Sequence, residues 1–262
     1  MGPYLRLRQL CLVATSLESV AGDLTEVFGL EICHRDPNVG HYGLENFLLP
    51  IGSNFLEVVA PLKPGAETAA GRYLQRRKGD GGYMVIMDCD DVVPWRAHMG
   101  TVGVRLVEDR AYEGKAHLMQ FHPRDTGACI MEIDHHIGGD DPMGRYQWAG
   151  DQWQEHVRTE RTARIAGAIL QANDPAALAA RWSQILKRPA TEAGRGTVGI
   201  ALDNARLSFE PAQDGRGDGL GAIVLDVNDK PAIMKAATRR GLTVAGDVVT
   251  ICGTRFHLQA AA

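Results

Sequence analysis

The chain has 262 residues, of which 45% are hydrophobic and 23% are charged, and its formal net charge is −4 at pH 7. This is the composition of a globular protein with enough length for a sizeable core, and it excludes a disordered or fibrous chain. The basic residues are scattered and form no patch that would follow a phosphate backbone, so we expect no nucleic-acid partner.

The cysteines and the N-terminal residues indicate the compartment. The five cysteines form no CxxC pair. An odd count without metal-type spacing predicts free thiols in a reducing environment. The opening stretch MGPYLRLRQL lacks the apolar core of a signal peptide, and no apolar run approaches the length of a membrane span. We therefore expect a cytoplasmic protein without a membrane partner.

The first repeat begins as a strand and continues as a helix. In LRQLCLVATSLESVAGDLTEVFGLEI the apolar alternation of a strand is followed by a short turn and a helical pattern. Ser16 is the expected N-cap of this helix and Gly29 its expected end. Two further strands are predicted in HYGLENFLLPIG and SNFLEVVAP, on either side of a Gly-Ser-Asn turn.

The same order of elements returns three more times. The second copy is GGYMVIMDCDDVVPWRAHMGTVGVRLV with the hairpin AHLMQFHPRDTGACIMEID. The third runs from ARIAGAILQANDPAALAARWSQILKRP through GTVGIALDNARLSFEP, and the fourth from LGAIVLDVNDKPAIMKAATRRGLTV to DVVTICGTRFHLQ. Each copy predicts a βαβββ module. The predicted fold class is α+β, with four βαβββ modules paired into two cup-shaped curved sheets.

The repeats divide the chain into two predicted domains. Residues 1–140 form an N-terminal pair of modules, and residues 163–262 form a C-terminal pair. Residues 141–162, rich in tryptophan and charge, are predicted to be a connecting helix. Four modules in one chain can bury surface against each other, so a monomer is self-sufficient, and a homodimer remains an alternative.

Three stretches resemble a known superfamily. They are NFLEVVAPL, AAGRYLQRRKGDGGYMVIMDCDDV and QFHPRDTGACIMEID. Together they resemble the vicinal oxygen chelate superfamily of glyoxalases, bleomycin-resistance proteins and dioxygenases, nearest to the methylmalonyl-CoA epimerase and glyoxalase-like branch. The likeness spans roughly residues 5–135, and the C-terminal half resembles the superfamily by its module pattern alone.

The resemblance implies a divalent metal held by the first and last strands of paired modules. It places Gln9, Glu57 and Glu132 at three of the four ligand positions, and His122 is a further candidate. The fourth position, usually histidine, is Met84, which is no ligand for a hard metal. Two alternatives follow. One is a site for Mn, Zn, Ni, Co or Fe with water in the open positions, and the other is a metal-free pocket.

The resemblance also implies catalytic residues. The epimerase branch has a Glu-His-Gly stretch near its second strand, where GHYGLE places His41, with Glu45 as the nearby carboxylate. A histidine suits proton transfer because its ordinary pKa lies near neutrality. Glu132 is the third catalytic candidate. Apart from the resemblance, the residue types make Tyr42, Tyr83 and Met84 candidates to line a hydrophobic pocket, and the alternative is that they belong to the core. The plainer alternatives are that His41 is a surface turn residue and that His122 caps its hairpin.

The C-terminal pair offers no ligand set at the corresponding positions. These positions fall on Gly167, Ser208, Ala222 and either His257 or Phe256. We therefore predict a structural C-terminal half, with the site in the N-terminal half. The sequence therefore argues against an extradiol dioxygenase, since those enzymes use their C-terminal cup.

Two functions remain for this sequence. The first is a metal-assisted lyase or isomerase/epimerase that moves a proton next to a carbonyl of a small molecule. The second is a protein that binds and sequesters a small molecule without metal or chemistry. The stretch GDGGYM precedes a strand, the wrong order for a dinucleotide fingerprint, so no nucleotide cofactor is expected.

Overall fold

The computed structural model describes residues 3–192 and 197–261. The first module consists of β1 (Leu5–Val13), α1 (Leu17–Phe28), β2 (Leu44–Ile51) and β3 (Asn54–Pro61), and it is followed by α2 (Ala69–Arg77). The second module consists of β4 (Gly81–Cys89), α3 (Val93–Thr101), β5 (Leu106–Tyr112), β6 (Ala116–Phe121), the single turn α4 (Pro123–Thr126) and β7 (Ile130–His136).

The two later modules repeat the pattern. The third contains β8 (Thr162–Ala172), α5 (Pro175–Leu186), β9 (Ala190–Glu192), β10 (Val198–Ala201) and β11 (Arg206–Pro211). The fourth contains β12 (Gly219–Val227), α6 (Lys230–Arg239), β13 (Thr243–Ala245), β14 (Val248–Ile251) and β15 (Thr254–Ala260). These elements confirm the predicted α+β class.

The first module departs from the common pattern. Its helix is followed by two strands and, in place of a third, by an isolated bridge between His34 and Leu48. A 3-10 helix, Pro37–Tyr42, follows that bridge. The proline at its start has no N–H to donate to a strand ladder, so the extended chain ends there.

The helices form where the sequence predicts them because their apolar spacing and caps agree. In α1 the buried side chains are Leu17, Val20, Leu24, Val27 and Phe28. Gly29 ends the helix in the left-handed conformation, with φ of 69°. The helices α5 and α6 start alike, since Asp174 and Asp229 accept hydrogen bonds from the N–H groups of Ala177 and Ala232.

Two elements differ from the sequence prediction. The segment 141–162 contains two short 3-10 helices, Gln147–Ala149 and Trp153–His156, in place of a connecting helix. Pro142 and the glycines of this segment disfavour a continuous helix, and Gly150 adopts a φ of 80°. Conversely, α2 lies between the first two modules, where the sequence predicted no helix, and Thr68 caps it by accepting the N–H of Gly71.

The described residues form two compact units that are discontinuous in sequence. The first comprises Met1–Gln9, Tyr83–Gln147 and Gly167–Gly221, and the second comprises Leu10–Gly82, Trp148–Ala166 and Ala222–Ala262. Four of the five boundaries therefore fall inside the first strand of a module, and the fifth, after Gln147, falls in the segment 141–162. Because each unit takes residues from both sides of segment 141–162, the domain division at residues 140 and 163 stays a prediction.

Within each unit, the first and last strands of a module pair in parallel. In the first unit β7 pairs with β4, and β11 pairs with β8. In the second unit β15 pairs with β12 in the same way. Antiparallel neighbours complete each sheet, for example β6 beside β7 and β14 beside β15. This pairing brings residues of a module's two terminal strands side by side.

The helices of the described chain are short. None of them has the length and apolar character that crossing a membrane requires.

Candidate functional site

The second module carries a polar face within the first compact unit. Strand register sets Ile86 beside Glu132, and Glu132 beside Gln120 on the next strand. Because side chains alternate along a strand, every second residue of β4, β6 and β7 shares this face. We call it the second-module face, and its members are Met84, Ile86, Asp88, Ala116, Leu118, Gln120, Ile130, Glu132, Asp134 and His136.

Glu132 is buried on this face and hydrogen-bonded. Its side chain is only 5% exposed, and Nε2 of Gln120 donates to its Oε2 over 2.9 Å. A buried carboxylate without a donor is costly, and the amide of Gln120 supplies one. Gln120 is itself half-buried, so this end of the face is partly open to solvent.

The other end of the face is covered by the segment after β7. Tyr146 is almost fully buried and donates its hydroxyl hydrogen to Oε1 of Gln9 over 3.0 Å. The guanidinium carbon of Arg8 lies 4.8 Å from the centre of the Tyr146 ring, and the His136 ring centre lies 4.7 Å from it. The Tyr146 ring thus lies against the guanidinium of Arg8 and the imidazole of His136, and its hydroxyl is bound by the amide of Gln9.

Two buried arginines hold the same segment by its backbone. Arg6 forms a bidentate ion pair with Asp88, at 3.1 Å and 2.7 Å, and also donates to the carbonyl oxygens of Gly139 and Asp140. Arg8 donates to the carbonyl oxygen of Pro142 over 2.6 Å. Sequence reasoning missed this role, although charged residues alternating in an apolar strand, as in LRLRQL, were a signal for it.

His136 is kept neutral beneath this cover. Its Nδ1 accepts the backbone N–H of Gln147 over 3.2 Å, and its Nε2 lies 3.7 Å from the Asp134 carboxylate. Burial lowers the pKa of the ring to about 3, since the charged form would lose its hydration.

The second compact unit holds Glu57 in a comparable bond. Nδ2 of Asn46 donates to Oε1 of Glu57 over 2.6 Å, and both residues are buried. Oδ1 of Asn46 accepts the backbone N–H of Asp36 over 2.8 Å. Asn46 therefore ties the Glu57 carboxylate to the residue that caps the 3-10 helix Pro37–Tyr42. This link was missed from sequence because it joins residues of three separate segments.

An aromatic side chain also packs on the strand that carries Glu57. The rings of Phe55 and Trp153 meet edge to face, with centres 4.9 Å apart. Phe55 and Glu57 are two positions apart on β3 and share one face. Trp153 belongs to segment 141–162, so this segment buries an aromatic residue here as well.

The catalytic candidates of the first module lie on the surface. His41 and Tyr42 are exposed on the 3-10 helix, and the Tyr42 side chain is 50% exposed. Glu45 is exposed on β2, next to the buried Asn46. Strand alternation turns Glu45 away from the face that Asn46 shares with Glu57. The catalytic roles of His41 and Glu45 stay predictions.

The remaining candidates have identifiable local positions. Tyr83 and Met84 are both buried, but as neighbours on β4 they point to opposite faces. Only Met84 belongs to the second-module face. His122 caps α4, since its Nδ1 accepts the backbone N–H of Arg124 over 3.1 Å. This is the capping role that was one of its two alternatives.

Comparison with known proteins assigns the family. A family model described as "Glyoxalase-like domain" matches residues 10–186, more than half of the chain. The chain belongs to the glyoxalase-like domain family. The predicted membership of the vicinal oxygen chelate superfamily is thereby confirmed. No curated protein matches the chain.

Two alignments over most of the chain show the fold of this glyoxalase-like protein in other solved structures. A hypothetical protein from Staphylococcus aureus aligns with a TM-score of 0.69 at 12% identity, covering 98% of this chain and 99% of its own. A triple mutant of 4-hydroxymandelate synthase from Streptomyces coelicolor aligns with a TM-score of 0.67 at 14% identity, covering 92% and 76%. Methylmalonyl-CoA epimerase from Mycobacterium tuberculosis covers 50% of this chain and 88% of its own at 20% identity, with a TM-score of 0.44.

Two of the predicted metal ligands of this glyoxalase-like protein take part in hydrogen bonds. Oε1 of Gln9 and Oε2 of Glu132 already accept hydrogen bonds from Tyr146 and Gln120. Met84, a poor ligand for a hard metal, stands at the fourth position, where the resemblance implies a histidine. Within residues 3–192 and 197–261, no three His, Cys, Asp or Glu side chains are grouped to hold a metal ion.

Proposed function

We propose that this glyoxalase-like protein binds a small organic molecule at the second-module face, around Glu132 and Gln120, without a metal. The observation that carries the proposal is the hydrogen bond between these two side chains beside the apolar Met84 and Ile86. Apolar walls with a few convergent polar groups are typical of small-molecule sites. The half-buried Gln120 and Ile130 lie at the accessible end of the face.

The polar pair defines the chemistry of the ligand. An ionised Glu132 accepts hydrogen bonds, whereas the Gln120 amide can both donate and accept. A ligand with an N–H or O–H donor next to an apolar body therefore suits this face. An alcohol, an amide or an amine is such a donor.

Metal-assisted proton transfer, the other function predicted from sequence, would require a metal ion at these residues. A metal bound to Gln9 and Glu132 would have to replace the hydrogen bonds from Tyr146 and Gln120. The Tyr146 hydroxyl lies in a buried environment, where an unpaired donor costs about 1–3 kcal/mol. The hydrogen-bonded arrangement therefore favours binding without metal.

Metal analysis and melting curves test the proposal. Protein purified without chelator is assayed for bound metal and then melted with and without Mn, Zn or Ni. We expect substoichiometric metal and unchanged melting temperatures. In a melting-temperature screen of small alcohols, amides and amines, we expect hits that stabilise the wild type. A ligand at 100 times its Kd adds about 2.7 kcal/mol of stability.

Two variants locate the binding. Glu132→Gln should reduce the stabilisation by each hit, and Glu113→Gln, at an exposed turn, should leave it unchanged. One equivalent of tightly bound metal that is lost in Glu132→Gln would overturn the metal-free proposal. Hits that stabilise Glu132→Gln as well as the wild type would exclude this face as the site.

A further inference from the structure

The second module contains a long edge strand. β5 pairs with β6 on one side, and no other strand of the described chain pairs with it. The edge strands β9 and β13 have only three residues each, whereas β5 has seven. The edge of β2 is occupied by its bridge to His34. Five residues of β5 are exposed and the other two are half-buried, so the strand is accessible to another chain.

β5 carries charges of both signs. Edge strands commonly carry charged residues, which discourage pairing with other chains. Here Glu108 and Arg110 are two positions apart and share one face, and Oε1 of Glu108 lies 3.8 Å from Nη1 of Arg110. The Arg110 side chain is 52% exposed. A loose, exposed ion pair of this kind contributes little to stability, so it can be exchanged for a pair with a second chain.

One two-fold register sets these opposite charges against each other. When a strand pairs in antiparallel fashion with its own copy, the central residue lies opposite itself. With Asp109 at the centre, Glu108 lies opposite Arg110 of the second copy, and this pair occurs twice. With Glu108 or Arg110 at the centre, two like charges would lie directly opposite each other, which is destabilising.

The surroundings of Asp109 favour the same register. Arg96 donates to both of its carboxylate oxygens, over 2.6 Å and 2.5 Å, and Nε2 of His117 lies 2.6 Å from its Oδ1. Its charge is thus balanced within each copy, so two Asp109 residues can face each other. Val107, which is 55% exposed, would lie opposite Ala111 of the second copy and lose apolar surface to water.

We propose that β5 pairs in antiparallel fashion with β5 of a second copy of this chain, centred on Asp109. The register between β5 and β6 shifts between Leu106 and Glu108, so regular pairing with the second copy covers residues 107–111. Because this contact is small, the homodimer is transient. The two-fold axis is normal to the joined sheet, which leaves both second-module faces on the same side. The inference goes beyond the function proposed above and does not depend on it.

Sedimentation velocity of the full chain between about 1 and 500 µM tests the dimer, which should increase with concentration. Arg110→Glu and Glu108→Arg each set like charges opposite each other and should raise the dimer Kd at least tenfold, about 1.4 kcal/mol. The double variant exchanges the two charges and should restore the Kd to within about threefold of the wild type. Glu160→Arg, at an exposed residue outside β5, is the control and should leave the Kd within about twofold.

A disulfide tests the register directly. Residues directly opposite in an antiparallel pair have Cα atoms about 4.5–5.5 Å apart, within the range that a disulfide spans. Oxidised glutathione should therefore convert Asp109→Cys to a covalent dimer, visible on a non-reducing gel. Glu160→Cys and the wild type, treated alike, should remain largely monomeric on the gel.

Three results would overturn the inference. The first is a wild type that stays monomeric over the whole concentration range, which would leave the edge of β5 to a strand of a different protein. The second is a dimer that both single charge reversals leave unchanged, or that the double variant does not restore. The third is cross-linking of Asp109→Cys no faster than that of Glu160→Cys.

Discussion

Tyr146 donates its hydroxyl hydrogen to Oε1 of Gln9, 137 residues away in the sequence and 3.0 Å away in the structure. Gln9 is one of the three residues that the family resemblance assigned to a metal. The segment expected to be a connecting helix thus supplies a buried ring to a sheet face and satisfies that amide oxygen. Arg8 binds the same segment through the carbonyl oxygen of Pro142, and Arg6 binds the carbonyl oxygens of Gly139 and Asp140 just before it.

Removal of the Tyr146 ring should destabilise the protein strongly. For Tyr146→Ala we expect a loss of about 3–5 kcal/mol in the free energy of unfolding, because a large buried side chain leaves a cavity. Tyr146→Phe keeps the ring and should lose only about 0.5–1.5 kcal/mol, from the lost hydrogen bond to Gln9. Urea denaturation measures both values. Tyr42→Phe, at an exposed ring, is the control and should leave stability unchanged. A fully stable Tyr146→Ala variant would contradict the packing described for this segment.

Adding a second carboxylate to the pair Gln120 and Glu132 should destabilise the protein, whereas replacing its carboxylate by an amide should not. Glu132→Gln should change stability little, because either amide can turn to present an oxygen to the other's N–H. Gln120→Glu should place two carboxylates together and destabilise the protein at neutral pH. Acidification should then restore stability, as one carboxylate takes up a proton. Melting temperatures at about pH 5 and pH 8 measure this effect.

The double variant Gln120→Glu with Glu132→Gln controls for size at this position. It restores one amide and one carboxylate with their positions exchanged, so it should recover most of the stability at neutral pH. If Gln120→Glu were as stable as the wild type at every pH, the two side chains would not face each other.

His136 should make stability fall as the pH is lowered. Burial lowers the pKa of its ring from 6.5 to about 3. The unfolded chain has the ordinary pKa, so between about pH 6.5 and 3 it binds a proton that the folded state does not. The contribution is therefore complete above about pH 6.5 and decreases as the pH falls, by at most about 1.4 kcal/mol per unit. Urea denaturation across this range measures the slope.

Other charged groups near His136 must be separated from the effect. The neighbours are Arg6, Arg8, Asp88, Asp134 and His135. His136→Gln removes the titrating ring and should flatten the slope over the upper part of this range. His122→Gln changes a histidine at a helix cap and should leave the slope as in the wild type. Equal slopes in all three proteins would show that His136 does not titrate differently on folding.

The buried ion pair of Arg6 and Asp88 should cost more to break than a surface pair. Their side chains are 8% and 2% exposed. Arg6→Met should lose about 3–5 kcal/mol, because the Asp88 charge remains buried. The surface pair Arg96 and Asp109 provides the comparison, and Arg96→Met should lose no more than about 1 kcal/mol. Chemical denaturation distinguishes the two. Equal losses would mean that Asp88 is reached by solvent.

The sequence alone predicted the modules and the family. Helices such as α1 follow from apolar spacing and a terminal glycine, which are local properties of a few consecutive residues. The recurrence of strand, helix and strands then predicted an α+β fold, and short motifs predicted the superfamily. The same local patterns left open whether His257 or Phe256 faces away from the helices, because alternation defines two faces without saying which one is covered.

The tertiary structure determined which residues lie against each face of a strand. Strand register placed Gln120 beside Glu132 and Asn46 near Glu57, and it turned Glu45 to the opposite face from Asn46. The segment 141–162 has the composition of a surface helix, yet its Trp153 is buried against a distant strand. Whether a buried carboxylate or amide meets a metal, a ligand or a hydrogen-bond donor depends on residues remote in sequence. Periodicity along the chain carries no information about such partners, because their proximity arises only when the strands pair.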